Sequence, residues 1–180
     1  CCLAQDYNRH PAPMADWLRM LTCSVHPLPY QANPAEYFAA IRHAPGAVLL
    51  DSGRPAAERG RYDLLSAWPL AELCVQPEES GRHFLQRLRD SLKQLGNASL
   101  PDPYELPFAG GLIGYLSYDF GRRLEQLPAQ SSDDLQLPDA QLGLYAWALI
   151  SDHQQLTSQL VFHPALAASE RERLLLLFSQ

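Results

Sequence analysis

Two apolar stretches meet at Asp152-His153, and together they limit this chain more than any other feature. The first, Gln141–Asp152, reads Gln-Leu-Gly-Leu-Tyr-Ala-Trp-Ala-Leu-Ile-Ser-Asp, an apolar and aromatic run that predicts one long strand. The second, Gln154–His163, alternates well enough to pair with it across a turn at Asp152-His153. A strand folded straight back on its neighbour commits this part of the chain to antiparallel sheet.

The remaining segments extend that picture. Leu21–Leu28 alternates loosely and reads as a first strand. Asn33-Pro34-Ala35-Glu36 has the marks of a helix start: Asn at the cap, Pro at the first helical position, Glu three residues after the cap. Tyr37, Phe38 and Ile41 give this helix an apolar face, and Pro45-Gly46 ends it. Ala47–Ser52 predicts a buried strand, Gly53–Gly60 a loop, and Arg61–Trp68 and Leu70–Val75 two strands parted by Pro69. Between Glu79 and Leu95, residues Phe84, Leu85, Leu88, Leu92 and Leu95 recur at helical spacing, with Gly96-Asn97 as the stop.

Phe108–Tyr118 is a glycine-rich, aromatic strand candidate, and Gln126–Pro138 is polar and turn-prone. Ser169-Glu170-Arg171-Glu172 resembles a capping box that opens a final helix running to Gln180. Strand pairs beside separate helices give an α+β class, with mainly antiparallel sheets flanked by helices.

Charge and length narrow the function. The net charge is −6, and no basic run exceeds Arg122-Arg123, so the chain lacks the positive face a nucleic-acid binder needs. No apolar stretch approaches the roughly 20 residues that span a bilayer. At 180 residues one domain can bury enough surface to fold without disulfide or metal. The four cysteines, Cys1, Cys2, Cys23 and Cys74, lack metal-ligand spacing and are expected as free thiols in a reducing cytoplasm. Residues 1–19 show no period and no signal-peptide order, and are expected to be a disordered leader or non-native extension. The domain then fills residues 20–180, with Met20 as the natural start or the whole as a translated fragment.

A search for catalytic patterns returns no nucleophile elbow, phosphate loop or dinucleotide fingerprint, and the six histidines form no ligand pair. Neither a catalytic residue nor a metal or cofactor site is therefore predicted in this chain. Gly110-Gly111-Leu112-Ile113-Gly114 has the wrong spacing for a nucleotide loop, and its glycines suit a close backbone approach or a bulge in a sheet. Asp119, Arg122, Arg123 and Glu125 suit a strand-to-helix corner, with Asp119 capping backbone N–H groups and the arginines paired with carboxylates. The segment Leu49-Leu50-Asp51-Ser52-Gly53, followed by Arg59-Gly60-Arg61-Tyr62-Asp63, is the one place that can grip a small zwitterion. There Ser52 accepts from an ammonium group and Tyr62 forms a wall. The same residues also describe an ordinary loop whose serine caps a turn.

Leu106 to Arg123, with Pro107-Phe108-Ala109-Gly110-Gly111-Leu112-Ile113-Gly114-Tyr115 at its heart, is similar to the glycine-rich signature of chorismate-aminating synthases. Leu124-Glu125-Gln126-Leu127-Pro128, Leu137-Pro138-Asp139, Gly143–Ile150 and Asp152-His153 resemble the aminodeoxychorismate branch of the anthranilate synthase component I family. The resemblance runs from about Val25 to His163. It implies the amino-terminal domain of such an enzyme, placed before a larger chorismate-binding domain that holds Mg²⁺. It also implies a glutamine amidotransferase partner supplying ammonia, and 4-amino-4-deoxychorismate as the product on the way to 4-aminobenzoate and folate. In the family this domain carries part of an L-tryptophan pocket, whose positions fall here on Ser52, Arg59, Gly60, Arg61 and Tyr62. Asp51 stands where the anthranilate branch has Glu, and Arg59 and Gly60 stand where some folate-branch relatives carry an aromatic residue and Ser. Two further readings are an anthranilate synthase domain with a tryptophan feedback site, and a free-standing amino-acid-binding module.

Overall fold

The computed structural model describes residues 21–53, 60–125 and 137–179. The leader expected over residues 1–19, Met20, Arg59 and most of the polar stretch after Glu125 lie outside these residues.

The chain opens with β1 (Leu21–Thr22), β2 (Ser24–Leu28), α1 (Pro34–Phe38), β3 (Val48–Leu50), β4 (Tyr62–Ser66) and β5 (Ala71–Cys74). Then come α2 (Gly81–Leu95), β6 (Ala98–Ser99), β7 (Gly111–Leu116) and a 3₁₀ turn (Tyr118–Arg123). It closes with β8 (Ala140–Tyr145), β9 (Trp147–Asp152), β10 (Thr157–Phe162) and α3 (Ala168–Phe178). Five strands form one sheet in the order β2-β10-β9-β4-β3, all antiparallel, and β5-β8-β7 form a second antiparallel sheet. The short β1 and β6 pair in parallel. The α+β class with mainly antiparallel sheets flanked by helices is the observed architecture.

The five-stranded sheet is covered on both faces, which explains why its central strand reads as nearly continuous apolar sequence. Trp147 and Leu149 of β9 face one cluster with Leu65, Leu160 and Phe162, closed by Tyr37, Ile41 and the α3 residues Leu174 and Phe178. Ala148 and Ile150 face the other way, with Leu64, Val161, Ile113 and Tyr145. Trp147 is fully buried, and its indole N–H donates to the Ala67 carbonyl at 2.8 Å, so the ring brings no unpaired donor inside. The second sheet takes α2 on one face, where Phe84 and Leu88 meet Leu73, Val75, Phe120 and Ala140. Ser80 caps α2 by accepting from the His83 amide at 3.2 Å, and Gly96 ends it at φ 84°, a left-handed value glycine adopts without strain.

Several expectations change in detail. The single strand expected over Gln141–Asp152 is two: the backbone bends at Ala146 and passes from the three-stranded sheet to the five-stranded one. Residues on both sides of the bend are buried, so no polar residue marks it. The turn at Asp152-His153 is a four-residue loop, His153–Leu156, with Leu156 at φ 54°. Ala47–Ser52 contributes only Val48–Leu50, at a sheet edge with Leu50 half exposed, not a buried strand. The Asn33 cap forms, accepting from the Ala35 amide at 3.0 Å. The helix it opens stops at Phe38, and successive turns carry Ile41 into the core. The capping box at Ser169 does not form: α3 begins two residues earlier than that box requires, with Ala167 at the cap and no side-chain cap bond, and it ends at Phe178.

The glycine-rich segment acts as a site of close approach. A Cβ on Gly114 would lie 2.1 Å from the Gln141 carbonyl oxygen and 2.5 Å from Leu142 Cα on the neighbouring β8. Gly110, at φ 113°, lets the ring of the buried His163 pack on the backbone.

Candidate functional site

The β3–β4 ladder ends at Leu50 opposite Leu64, and the chain beyond it turns away from β4. Asp51 makes that turn, accepting from the Gly53 amide at 2.6 Å. It is therefore Asp51 and not Ser52 that caps it. The Ser52 amide instead donates to Asp63 Oδ1 at 2.7 Å, and the Ser52 hydroxyl is buried with no hydrogen-bond partner among the described residues. A buried polar atom in that condition calls for a ligand group or a water. Gly60 lies against it: a Cβ there would fall 2.5 Å from Ser52 Cβ and 2.7 Å from its Oγ. The missing side chain of Gly60 is thus the room in which Ser52 sits.

Arg61 and Tyr62 complete the set. Arg61 makes a two-pronged ion pair with Asp152, 2.8 Å from Nη2 and 3.1 Å from Nε to Oδ2, and its guanidinium covers the Tyr62 ring at 4.6 Å. One face of Tyr62 is therefore occupied by this chain's own cation, and its hydroxyl points toward the Glu105 carbonyl at 3.4 Å. Asp152 is almost fully buried and also accepts from the Gln154 and Gln155 amides. Burial pushes its carboxyl up, but Arg61 and the two amides outweigh that and hold it below the usual carboxylate range.

The structure thus brings Ser52, Gly60, Arg61 and Tyr62 together at one end of the five-stranded sheet, while Arg59 falls outside the described residues. Asp63, at the end of the segment already singled out, joins them, and so do two residues to which the sequence assigns no site role, His153 and Tyr30. His153 Nε2 meets Asp63 Oδ2 at 2.6 Å, and His153 Nδ1 meets the Tyr30 hydroxyl at 2.7 Å. These partners are 90 and 123 positions apart in sequence, so no local spacing announces them.

The other charged group is structural. Ser117, not Asp119, caps the 3₁₀ turn by accepting from the Phe120 amide, because the turn starts two residues earlier than a cap at Asp119 implies. Asp119 pairs with Arg122 at 2.9 Å, and Glu125 is exposed. Arg123 pairs with Asp139 at 2.5 Å and donates to the carbonyls of Gln76, Pro77 and Glu79. Cys23 and Cys74 are free thiols. Among the described residues no three His, Cys, Asp or Glu side chains stand close enough to share a metal ion, and no helix is long and apolar enough to cross a membrane.

No family model matches the chain. Aminodeoxychorismate synthase component 1 of Salmonella typhimurium is 38% identical to it over 161 residues, 82% of this chain and 35% of that protein. The Escherichia coli protein of the same name is 35% identical over 157 residues, 81% of this chain and 35% of its own length. Anthranilate synthase component 1 of Mycobacterium tuberculosis is 32% identical over 138 residues, 69% of this chain and 27% of that protein. Among solved structures, anthranilate synthase component I from Streptococcus pneumoniae shares the fold, with a TM-score of 0.50 at 19% identity over 71% of this chain and 29% of that one. The chain spans about a third of the length of the aminodeoxychorismate synthase relatives it matches. By sequence, it belongs to the aminodeoxychorismate and anthranilate synthase component I family.

Proposed function

We propose that this chain is the non-catalytic amino-terminal part of an aminodeoxychorismate synthase component I. In this reading it scaffolds a chorismate-binding domain that replaces the ring hydroxyl of chorismate with an amino group, using ammonia from a glutamine amidotransferase subunit. The Mg²⁺ of that reaction belongs to the chorismate-binding domain. The observation that carries the reading is the 38% identity to aminodeoxychorismate synthase component 1 over 82% of the chain. The surface supports it: on and after the edge strand β7, Leu116 is half exposed and Tyr118 is 96% exposed, apolar area suited to a covering domain.

The same reading gives the Ser52 region half of an L-tryptophan pocket. The buried, unpartnered Ser52 hydroxyl supports this, since a ligand ammonium group would supply the bond it lacks. Arg61 is committed to Asp152, so the ligand carboxylate would rest on backbone amides rather than on this guanidinium.

The test is to supply the purified chain with chorismate, ammonium and Mg²⁺, and to follow 4-amino-4-deoxychorismate. No turnover is expected until the chorismate-binding domain is added, and turnover by this chain alone would overturn the non-catalytic reading. Calorimetric titration with L-tryptophan addresses the alternative. Tight, saturable binding that Ser52→Ala abolishes would favour a free-standing amino-acid sensor over a half-pocket.

A further inference from the structure

Ser52 is held by a chain of buried and half-buried polar groups that the pocket reading does not require. Asp63 is 2% exposed, and both its carboxylate oxygens are used, one by the Ser52 amide and one by His153 Nε2. Both ring nitrogens of His153 are used in turn, by Asp63 and by the Tyr30 hydroxyl. The His153 backbone amide donates to the Arg61 carbonyl at 2.8 Å. The turn after β9 therefore grips the chain on both sides of the loop that separates Ser52 from Arg61. It holds Ser52 through Asp63, and Arg61 directly.

Burying a carboxylate costs several kcal/mol unless its oxygens are well bonded, and an apolar pair of similar shape would serve stability as well or better. What an apolar pair cannot do is hold one backbone amide in one direction. That amide belongs to the residue whose hydroxyl is left buried and unpartnered.

We propose that Tyr30, His153 and Asp63 form a positioning relay that fixes the Ser52 backbone, and so aims the Ser52 hydroxyl at its ligand. The inference rests on the reading of Ser52 as a ligand contact. The three residues touch no ligand themselves. They act through Ser52, and the turn that carries His153 adds a second grip on Arg61.

The test is amide-resolved NMR of the isotope-labelled chain, comparing wild type with Tyr30→Phe and Asp63→Asn. Both substitutions preserve shape, and Tyr30→Phe removes a single hydroxyl from a half-buried residue, so it stays interpretable if Asp63→Asn fails to fold. Loss of a charge-assisted bond to the Ser52 amide should speed its hydrogen exchange about tenfold in Asp63→Asn, with a smaller rise in Tyr30→Phe. The Ser52 amide resonance should shift in both, while amides of α2 keep their wild-type rates. Unchanged Ser52 exchange and shift in a variant whose melting temperature falls would overturn the relay and leave only a packing role. Adding L-tryptophan to the wild type separates the two claims. The titration is done with the chorismate-binding domain added, since the half-pocket is completed only by it; a Ser52 signal that then ignores L-tryptophan but responds to Tyr30→Phe removes the ligand reading and leaves the relay standing.

Discussion

Replacing Gly114 with alanine should cost this domain more than any helix glycine substitution. The backbone at Gly114 is not in the left-handed region, so strain in φ plays no part. The damage is steric. The added Cβ would sit 2.1 Å from the Gln141 carbonyl oxygen, against a limit near 3.0 Å, and the obstacle is backbone that cannot swing away. β7 would have to retreat from β8 by roughly 1 Å, within the range in which overpacking costs about 1–3 kcal/mol. The retreat also stretches the two ladder hydrogen bonds flanking Gly114, at about 0.5–1.5 kcal/mol each. Alanine returns only about 0.4–1 kcal/mol by stiffening the unfolded chain. The net expectation is a loss of about 1–6 kcal/mol, read as a lower urea midpoint by Trp fluorescence. Gly96→Ala is the control, because φ 84° penalises alanine while the space around it is open. At ψ 165° Gly96 lies in a region that essentially only glycine populates, and the substitution should cost about 1–3 kcal/mol. A Gly114→Ala protein as stable as wild type, or one harmed less than Gly96→Ala, would refute the reasoning.

Three further outcomes are expected. His163 is buried, and burial pushes its imidazole below the ordinary value of 6.5, so the folded state holds it neutral. Its contribution is complete above pH 6.5 and shrinks as pH falls below that value, because only the unfolded chain readily takes the proton. In His163→Asn, which keeps an acceptor for the Ala165 amide, the urea midpoint should fall less steeply as pH drops below 6.5, and a slope equal to wild type would count against it. Ala167→Ser places a capping oxygen at the bare amino end of α3 and should raise stability by about 1 kcal/mol, measured by denaturant titration. Leu156→Gly relieves a left-handed, mostly exposed leucine and should raise it by about 1 kcal/mol, with no gain if the φ of 54° costs nothing.

Wherever one residue's chemistry decided a local structure, the sequence could be read. The Asn33 cap, the Gly96 stop and the apolar stripe of α2 needed no tertiary knowledge. The bend at Ala146 could not be seen, because the strand is buried on either side of it and apolar sequence carries no mark of which sheet it lies in. The Ser169 capping box failed for a different reason: packing of Leu174 and Phe178 on the sheet sets where α3 starts, and this outweighs a cap worth about 1 kcal/mol. In the candidate site, resemblance supplied Ser52, Gly60, Arg61 and Tyr62. Asp63 stood in the segment singled out from sequence, but its partners His153 and Tyr30 stayed hidden because the antiparallel sheet, not spacing along the chain, brings them together.

β2 lies beside β10, with Ser24 opposite Phe162, so the sheet is clasped by strands far apart in sequence. On the ribosome, the strand that emerges first must wait, with one whole edge of backbone unsatisfied, for a partner made much later in the chain. Long-range pairing of this kind slows folding, since a large loop must close before the contact gives any return. The waiting period falls on β2, where Pro27 removes one N–H from the exposed edge and so leaves a poorer template for a neighbouring chain to pair with.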